Sequence, residues 1–239
     1  MPVNANNTTV LYDNFALAAY LKSAAPNVSV AMLDATTLAD SSLTFLPGLR
    51  TNQFSLSGLF DSTSGAGTLL DDITSRLGSS TAVAATISPA GFAAGNPAWL
   101  LPALTLDYQV SSTVADLVPF TLNLGAAAPA GPGVCLTALA AQTATGNGAS
   151  RDNGAGTSNG AVCHLHITDV SGTTPSMTAI VQHSTNNSTW TTLGSFSAAT
   201  AVGSQTLQVS GTVNRYVRAS FTISGTNPSF TTLVAVSRF

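Results

Sequence analysis

The chain has no glutamate and a single lysine, Lys22, and its six arginines stand singly. Charged residues make up 7% of its 239 positions, against roughly a quarter in an ordinary soluble domain. Without a basic stripe, and with a formal net charge of −3, the chain cannot neutralise a run of phosphates, which excludes tight nucleic-acid binding as its main task. Long hydrophobic runs are missing too. No segment reaches the roughly 18 apolar residues of a membrane span, and the opening MPVNANNTTVLYDNF has neither the basic nor the apolar region of a secretion leader. The expectation is a chain that neither enters a membrane nor leaves the cell by a leader. Two cysteines, Cys135 and Cys163, make no disulfide framework. They read either as small buried apolar residues or as one bridge across the glycine-rich segment between them.

In place of charge there is Ser, Thr, Asn and Gly. Thr and Ser suit strands and turns, while the residues that build solvated helices are scarce, so an all-β, mainly antiparallel fold is expected. A surface so poor in charge is prone to associate, which points to self-assembly.

Along the chain, DNFALAAYLKSAAP reads as a short helix capped by Asp13 and ended by Pro26. Residues 28–33 read as the first strand, and 34–49 as a long loop without clean period. From Gln53 the period is strictly two: Phe54, Leu56, Gly58 and Phe60 share one face. After Gly65 and Gly67, TLLDDITSRLG reads as a helix over 69–77, with Thr68 as cap, Asp71 and Asp72 in the first turn, Arg76 in the last and Gly78 as stop. Further strands are expected at 82–88, 103–111, 118–124, 162–168, 177–183, 189–196, 204–210, 213–223 and 230–238. Two stretches, GAAAPAGPG at 125–133 and ATGNGASRDNGAGTSNG at 144–160, read as linker. The expected organisation is a domain over 1–125, a connection over 126–160 and a C-terminal β-sandwich domain over 161–239.

Motifs for chemistry are thin. GTSNG at 156–160 matches a G-x-S-x-G elbow with Ser158 as nucleophile and His164, His166 and Asp169 as nominal partners. An elbow needs a strand before it and a helix after it, whereas here a polar run precedes and a strand follows. A turn-rich loop is the better reading. SGAGTLL lacks the third glycine and the lysine of a phosphate loop. In CHLH a strand sends His164 and His166 to one face and Cys163 to the other, too few converging ligands for a metal, so a solvated strand face is expected. Asp71 and Asp72 diverge on a helix and make no acid–base pair. No enzyme, cofactor or metal site is expected.

LPGLRTNQFSLSGLFD, followed by the glycine turn and LLDDITSRLG, resembles the core of the tail tube (major tail) proteins of long-tailed bacteriophages, over roughly residues 1–125. The resemblance implies a tail-tube-like β-sandwich or barrel with one short packed helix. It also implies rings of this chain, commonly hexameric, stacked into a tube, with other tail proteins as partners and DNA passing without specific binding. The chain would then reside in the virion tail, assembled in the host cytoplasm. The loop 34–49 would reach an adjacent ring or subunit, with Asp34, Asp40, Phe45 and Leu46 as the candidate assembly loop. AIVQHSTNNSTWTTLGSFSAAT with TVNRYVRASFTISG is similar to the outer β-sandwich domains appended to tail proteins of actinobacterial phages, and more distantly to discoidin-like carbohydrate-binding modules. That likeness implies an alternative, a virion-surface or secreted glycan-binding module using Trp190, Arg215, Tyr216 and Arg218. Trp190 follows the turn STNNST, where cross-strand packing is its commoner role.

Overall fold

Thr, Val and Ser recur along the chain, the charged helix formers Glu and Lys are all but missing, and the backbone answers almost wholly in strands. The computed structural model describes residues 4–114 and 116–239. After a 3-10 turn at Ala5–Asn7 come β1 (Thr9–Tyr12), β2 (Phe15–Ala16), β3 (Leu21–Asp34), β4 (Phe45–Leu59) and the helix α1 (Leu69–Arg76). The rest is strand: β5 (Val83–Ser88), β6 (Pro97–Val110), β7 (Pro119–Ala126), β8 (Gly131–Cys135), β9 (Ala140–Gln142), β10 (Gly146–Asn147), β11 (Arg151–Asp152), β12 (Ala161–Ser184), β13 (Thr191–Ser195), β14 (Gly203–Val209) and β15 (Tyr216–Arg238). Every pairing among them is antiparallel, and all fifteen strands join one hydrogen-bonded network. The expected all-β antiparallel class is the one observed.

The helix forms where its caps place it. The Thr68 hydroxyl accepts from the Asp71 amide, Asp71 and Asp72 sit in the first turn, and Ile73 is buried among the strands. Arg76 donates to Asp72 one turn back at 2.8 Å and to Asp13 at 2.7 Å, which ties α1 to the turn after β1.

The helix expected over 13–25 is not formed. Asp13 sits at φ 53° in the tight turn between β1 and β2, and Pro26 lies within β3 rather than ending a helix. Tertiary pairing overrides the local apolar spacing here, because Leu17 is buried while Ala18 and Ala19 face solvent in a turn. The loop expected over 34–49 is likewise shorter: Asp34 ends β3, Phe45 and Leu46 begin β4, and only 35–44 is irregular.

Four of the expected C-terminal strands are two. β12 and β15 pair from Ala161 opposite Arg238 to Ser184 opposite Tyr216, with register shifts between Ile167 and Ser176. There the chain meets itself with two near-identical words, SGTTPS at 171–176 and SGTNPS at 224–229, which differ only at Thr174 and Asn227. Gly172 and Gly225 lie at φ 110° and 120°, and Thr174 and Asn227 at 47° and 48°. A Cβ on Gly172 would meet the Asn227 carbonyl oxygen at 2.6 Å, and one on Gly225 the Thr174 carbonyl oxygen at 2.8 Å. This paired kink folds the long ribbon over on itself. Cys163, Leu165, Val234 and Val236 from one limb then share a core with Ala179, Val181, Val217 and Ala219 from the other.

A second core, around Tyr12, Phe54, Leu56, Ile73, Leu122 and Leu124, fills the N-terminal half. A third, of Leu11, Ala98, Leu100, Cys135, Val162, Leu233 and Ala235, lies between the halves. The stretch 126–160, expected as a connection, supplies four strands of its own. Among them β8 pairs with β6 on one side and β15 on the other, so the sheet runs through from one half to the other. At this seam Gly133 leaves no room for a side chain, since a Cβ would stand 2.1 Å from the Val236 carbonyl oxygen.

Candidate assembly surface

β4 is long enough to belong to two structures at once. From Gln53 to Leu59 it pairs with β7 as well as β3, and Phe54, Leu56 and Gly58 are buried. Gly58 is needed there because the backbone of Tyr20 crosses at the place its Cβ would occupy, 2.2 Å from the Tyr20 carbonyl oxygen. Among the described residues, β4 N-terminal of Gln53 has β3 as its sole strand partner, and β3 pairs with β4 alone along its whole length. The result is a two-stranded arm that leaves the body of the fold, with the outer edge of β3 open. At about 3.4 Å per residue, Val28–Asp34 carries it roughly 24 Å outward.

The arm carries only Asp34, Asp40 and Arg50 as charges and is not covered. Between Val28 and Thr51 every residue is exposed except Ala35 and Gly48, which are intermediate. Nine large apolar side chains are among them: Val28, Val30, Met32, Leu33, Leu38, Leu43, Phe45, Leu46 and Leu49. On one face Val28, Val30 and Met32 alternate along β3, with Pro47 across from Met32 and Phe45 across from Asp34. On the other, Leu33 stands opposite Leu46, and the two are 56% and 55% exposed. An apolar concentration of this kind on an open strand edge marks an interaction surface, since free monomers blunt such edges. β3 carries Lys22 and Pro26 near its base, the two edge-blunting residue types, and neither recurs further out on that strand.

The tip is built by the two aspartates expected in the assembly loop. Asp34 accepts from the Thr36 amide at 2.9 Å, and Asp40 accepts from the Thr37 amide at 2.7 Å and its hydroxyl at 3.0 Å. Hydrogen bonds from Thr36 hold the Asp34 carboxyl below its usual range. Both carboxylates therefore shape the turn, while Phe45 and Leu46 are strand residues on opposite faces of the arm.

The other residues singled out from the sequence lie elsewhere. On the outer face of the folded ribbon the Arg218 guanidinium stacks over the Trp190 ring at 4.2 Å and donates to Gln182 at 2.8 Å. Arg215 lies 5.0 Å from the Tyr216 ring and forks onto Asp152 with two bonds of 2.7 Å. Ser158 is exposed in a loop followed directly by β12, without a helix. Cys135 and Cys163 are free and buried, and burial pushes both thiols up to about 12. His164 and His166 do not form a solvated face. Both are fully buried against Thr86 of β5, because β12 is covered by the N-terminal half. Nothing in the local sequence signals that cover. Among the described residues no cluster of three metal-ligating side chains occurs.

No protein family profile and no curated protein matches the chain. Among solved structures, a chain of the virion of a native gene transfer agent particle aligns at 14% identity over 54% of this chain and 98% of its own, with a TM-score of 0.43. The Dit protein of phage SPP1, described as a paradigm of the hub adsorption apparatus in phages infecting Gram-positive hosts, aligns at 14% identity over 97% of this chain and 99% of its own, with a TM-score of 0.40. A chain of the anti-feeding prophage baseplate aligns at 16% identity over 55% and 95%, with a TM-score of 0.39.

Proposed function

We propose that the chain is a structural subunit of a phage tail, and within that class a tail tube protein whose copies form rings that stack into a channel for DNA. The observation that carries this reading is the arm: a two-stranded ribbon with nine exposed large apolar side chains and an open strand edge. A second copy satisfies both features at once, by pairing with the edge of β3 and covering the apolar faces. The low charge fits, because a surface destined for burial in an assembly needs little Lys or Glu. In this role the chain is not an enzyme, takes no cofactor, and meets other tail proteins and passing DNA rather than a membrane.

The channel wall should be gently repellent to phosphate, lined by aspartates and polar side chains rather than arginines. Negative-stain microscopy of concentrated protein tests the reading, with six-fold rings or tubes as the expected result. A persistent monomer at high concentration overturns it. The glycan-binding alternative gains no support from the outer face, where the Arg218 guanidinium already occupies a face of the Trp190 ring.

A further inference from the structure

Where β5 packs across β12, three buried polar side chains form one chain of hydrogen bonds. The Thr86 hydroxyl lies 3.0 Å from Nδ1 of His164 and 2.8 Å from Nε2 of His166, and Nδ1 of His166 lies 2.6 Å from the Asp13 carbonyl oxygen. All three side chains are fully shielded from solvent.

With both rings neutral, as full burial with no facing carboxylate requires, proton counting fixes every position in this chain. A carbonyl only accepts, so Nδ1 of His166 carries the proton and its Nε2 is a bare acceptor. Thr86 must then give its single proton to that Nε2, and its oxygen accepts from Nδ1–H of His164. Nε2 of His164 is left as a lone pair, buried without a partner. The arrangement holds two neutral rings. A proton added to Nε2 of His166 would turn the Thr86 hydroxyl toward Nδ1 of His164 and leave His164 with an Nε2–H that has no acceptor, and one added to His164 would charge a ring in a site that offers no acceptor.

We propose that the histidine pair with Thr86 is an acid-labile latch between the two halves of the chain. It holds β5 and the turn at Asp13 against β12 while both rings are neutral, and it releases them when either ring takes a second proton. Beside it on β5, the Ala84 amide donates to the Ser204 hydroxyl of β14, while the backbone pairing of β8 joins the halves elsewhere.

The surroundings leave no carboxylate free to stabilise the charged form. On the β1–β2 turn, the Asp13 carboxylate turns to Arg76 of α1, which also holds Asp72. Tyr12 on β1 bonds to Thr105. β5 and β14 carry no titratable side chain, and β8 offers only the buried Cys135. The residues of β15 opposite His164 and His166 are Ala235 and Leu233, and on β12 itself Asp169 is exposed. Burial accordingly lowers His166 from 6.5 to about 4, against a smaller opposite pull from its bond to the Asp13 carbonyl, and lowers His164 well below 6.5, with the neighbouring His166 ring adding to the effect. Both values lie below those of the unfolded chain, so the latch contributes fully above about pH 6.5 and is lost as pH falls toward 4.

Urea unfolding of the full chain at pH 8 and pH 5 tests this. His166 alone should raise the unfolding constant about 30-fold between them, and His166→Gln should remove that factor. An equal pH response in both proteins overturns the proposal. Should the variant not fold, ring-nitrogen NMR of the wild-type chain decides the matter: both rings should remain neutral and protonated on Nδ1 at pH 5, and titration near 6.5 refutes the latch. Amide exchange corrected for intrinsic rates separates a latch from general acid weakening. Residues 83–88 should lose protection at pH 5 before 216–223, and simultaneous loss counts against the proposal.

Discussion

Leu33→Asp puts the arm to the test, because its two consequences have different sizes. In the monomer Leu33 is already 56% exposed. A fully buried leucine is worth about 1.5–3 kcal/mol, so removing the buried remainder should cost the fold only about 1 kcal/mol. In an assembly that covers the arm, the exposed part would be buried as well. Its loss is worth about 1–1.5 kcal/mol per contact, and an unpaired carboxylate at the covered site adds at least about 1–3 kcal/mol more. The sum, about 2–4 kcal/mol, corresponds to a 30- to 1000-fold weaker contact, repeated at every interface of a ring. Sedimentation velocity over a concentration series should show wild-type protein assembling and the variant remaining monomeric, while urea unfolding midpoints differ little. A variant that assembles at wild-type concentrations refutes the arm as the contact. A variant that cannot fold refutes its independence from the core.

Gly133→Ala should destabilise the chain by about 3 kcal/mol or more, at or above the usual cost of overpacking, since the obstacle is the Val236 backbone, which cannot swing aside; thermal unfolding reads this directly. Both cysteines should resist a thiol-specific reagent in the native protein and react at the rate of unfolding, because burial holds the thiols up to about 12. Asp152 is held down to about 2 by the Arg215 fork and the Gly154 amide. Its lowered pKa means that the pair contributes above the usual carboxylate range and is lost as pH falls toward 2. NMR titration should therefore find it ionised at pH 3, and Arg215→Gln should raise it toward the ordinary range, with the Gly154 amide still donating to it. Arg218→Ala should change Trp190 fluorescence in a Trp99→Phe background and cost about 0.5–1 kcal/mol, the range of an exposed cation–π pair.

The helix at 69–76 was legible because every signal for it is local: Thr68, the two aspartates, Arg76 and the stripe around Ile73. The alternation from Gln53 was legible for the same reason, since half of β4 faces a core and half faces solvent. The first part of β4 was not. Gly48 and Leu49 lie at a bulge opposite Ala31, and both faces are exposed, so no polar–apolar rhythm marks the strand. Asp13 looked like a helix cap because caps and tight turns recruit the same residue. The breaks expected between 168 and 177 and between 223 and 230 fall on SGTTPS and SGTNPS; what makes these a kink in two continuous strands is that they lie across from each other, 53 residues apart in the chain. The burial of His164 and His166 likewise depends on a strand some eighty residues upstream.

β15 touches five other strands, β8 to β12, and it is the last strand described. A strand made late but seated centrally means that the C-terminal core and the β8 seam have to wait for it during synthesis, with β12 exposing an incomplete ribbon until its partner emerges. Loss of the dozen residues from Thr226 to Ser237 would thus unseat β8, strip one limb from the folded ribbon and leave the N-terminal half, arm included, without the strand seam that joins it to the C-terminal core.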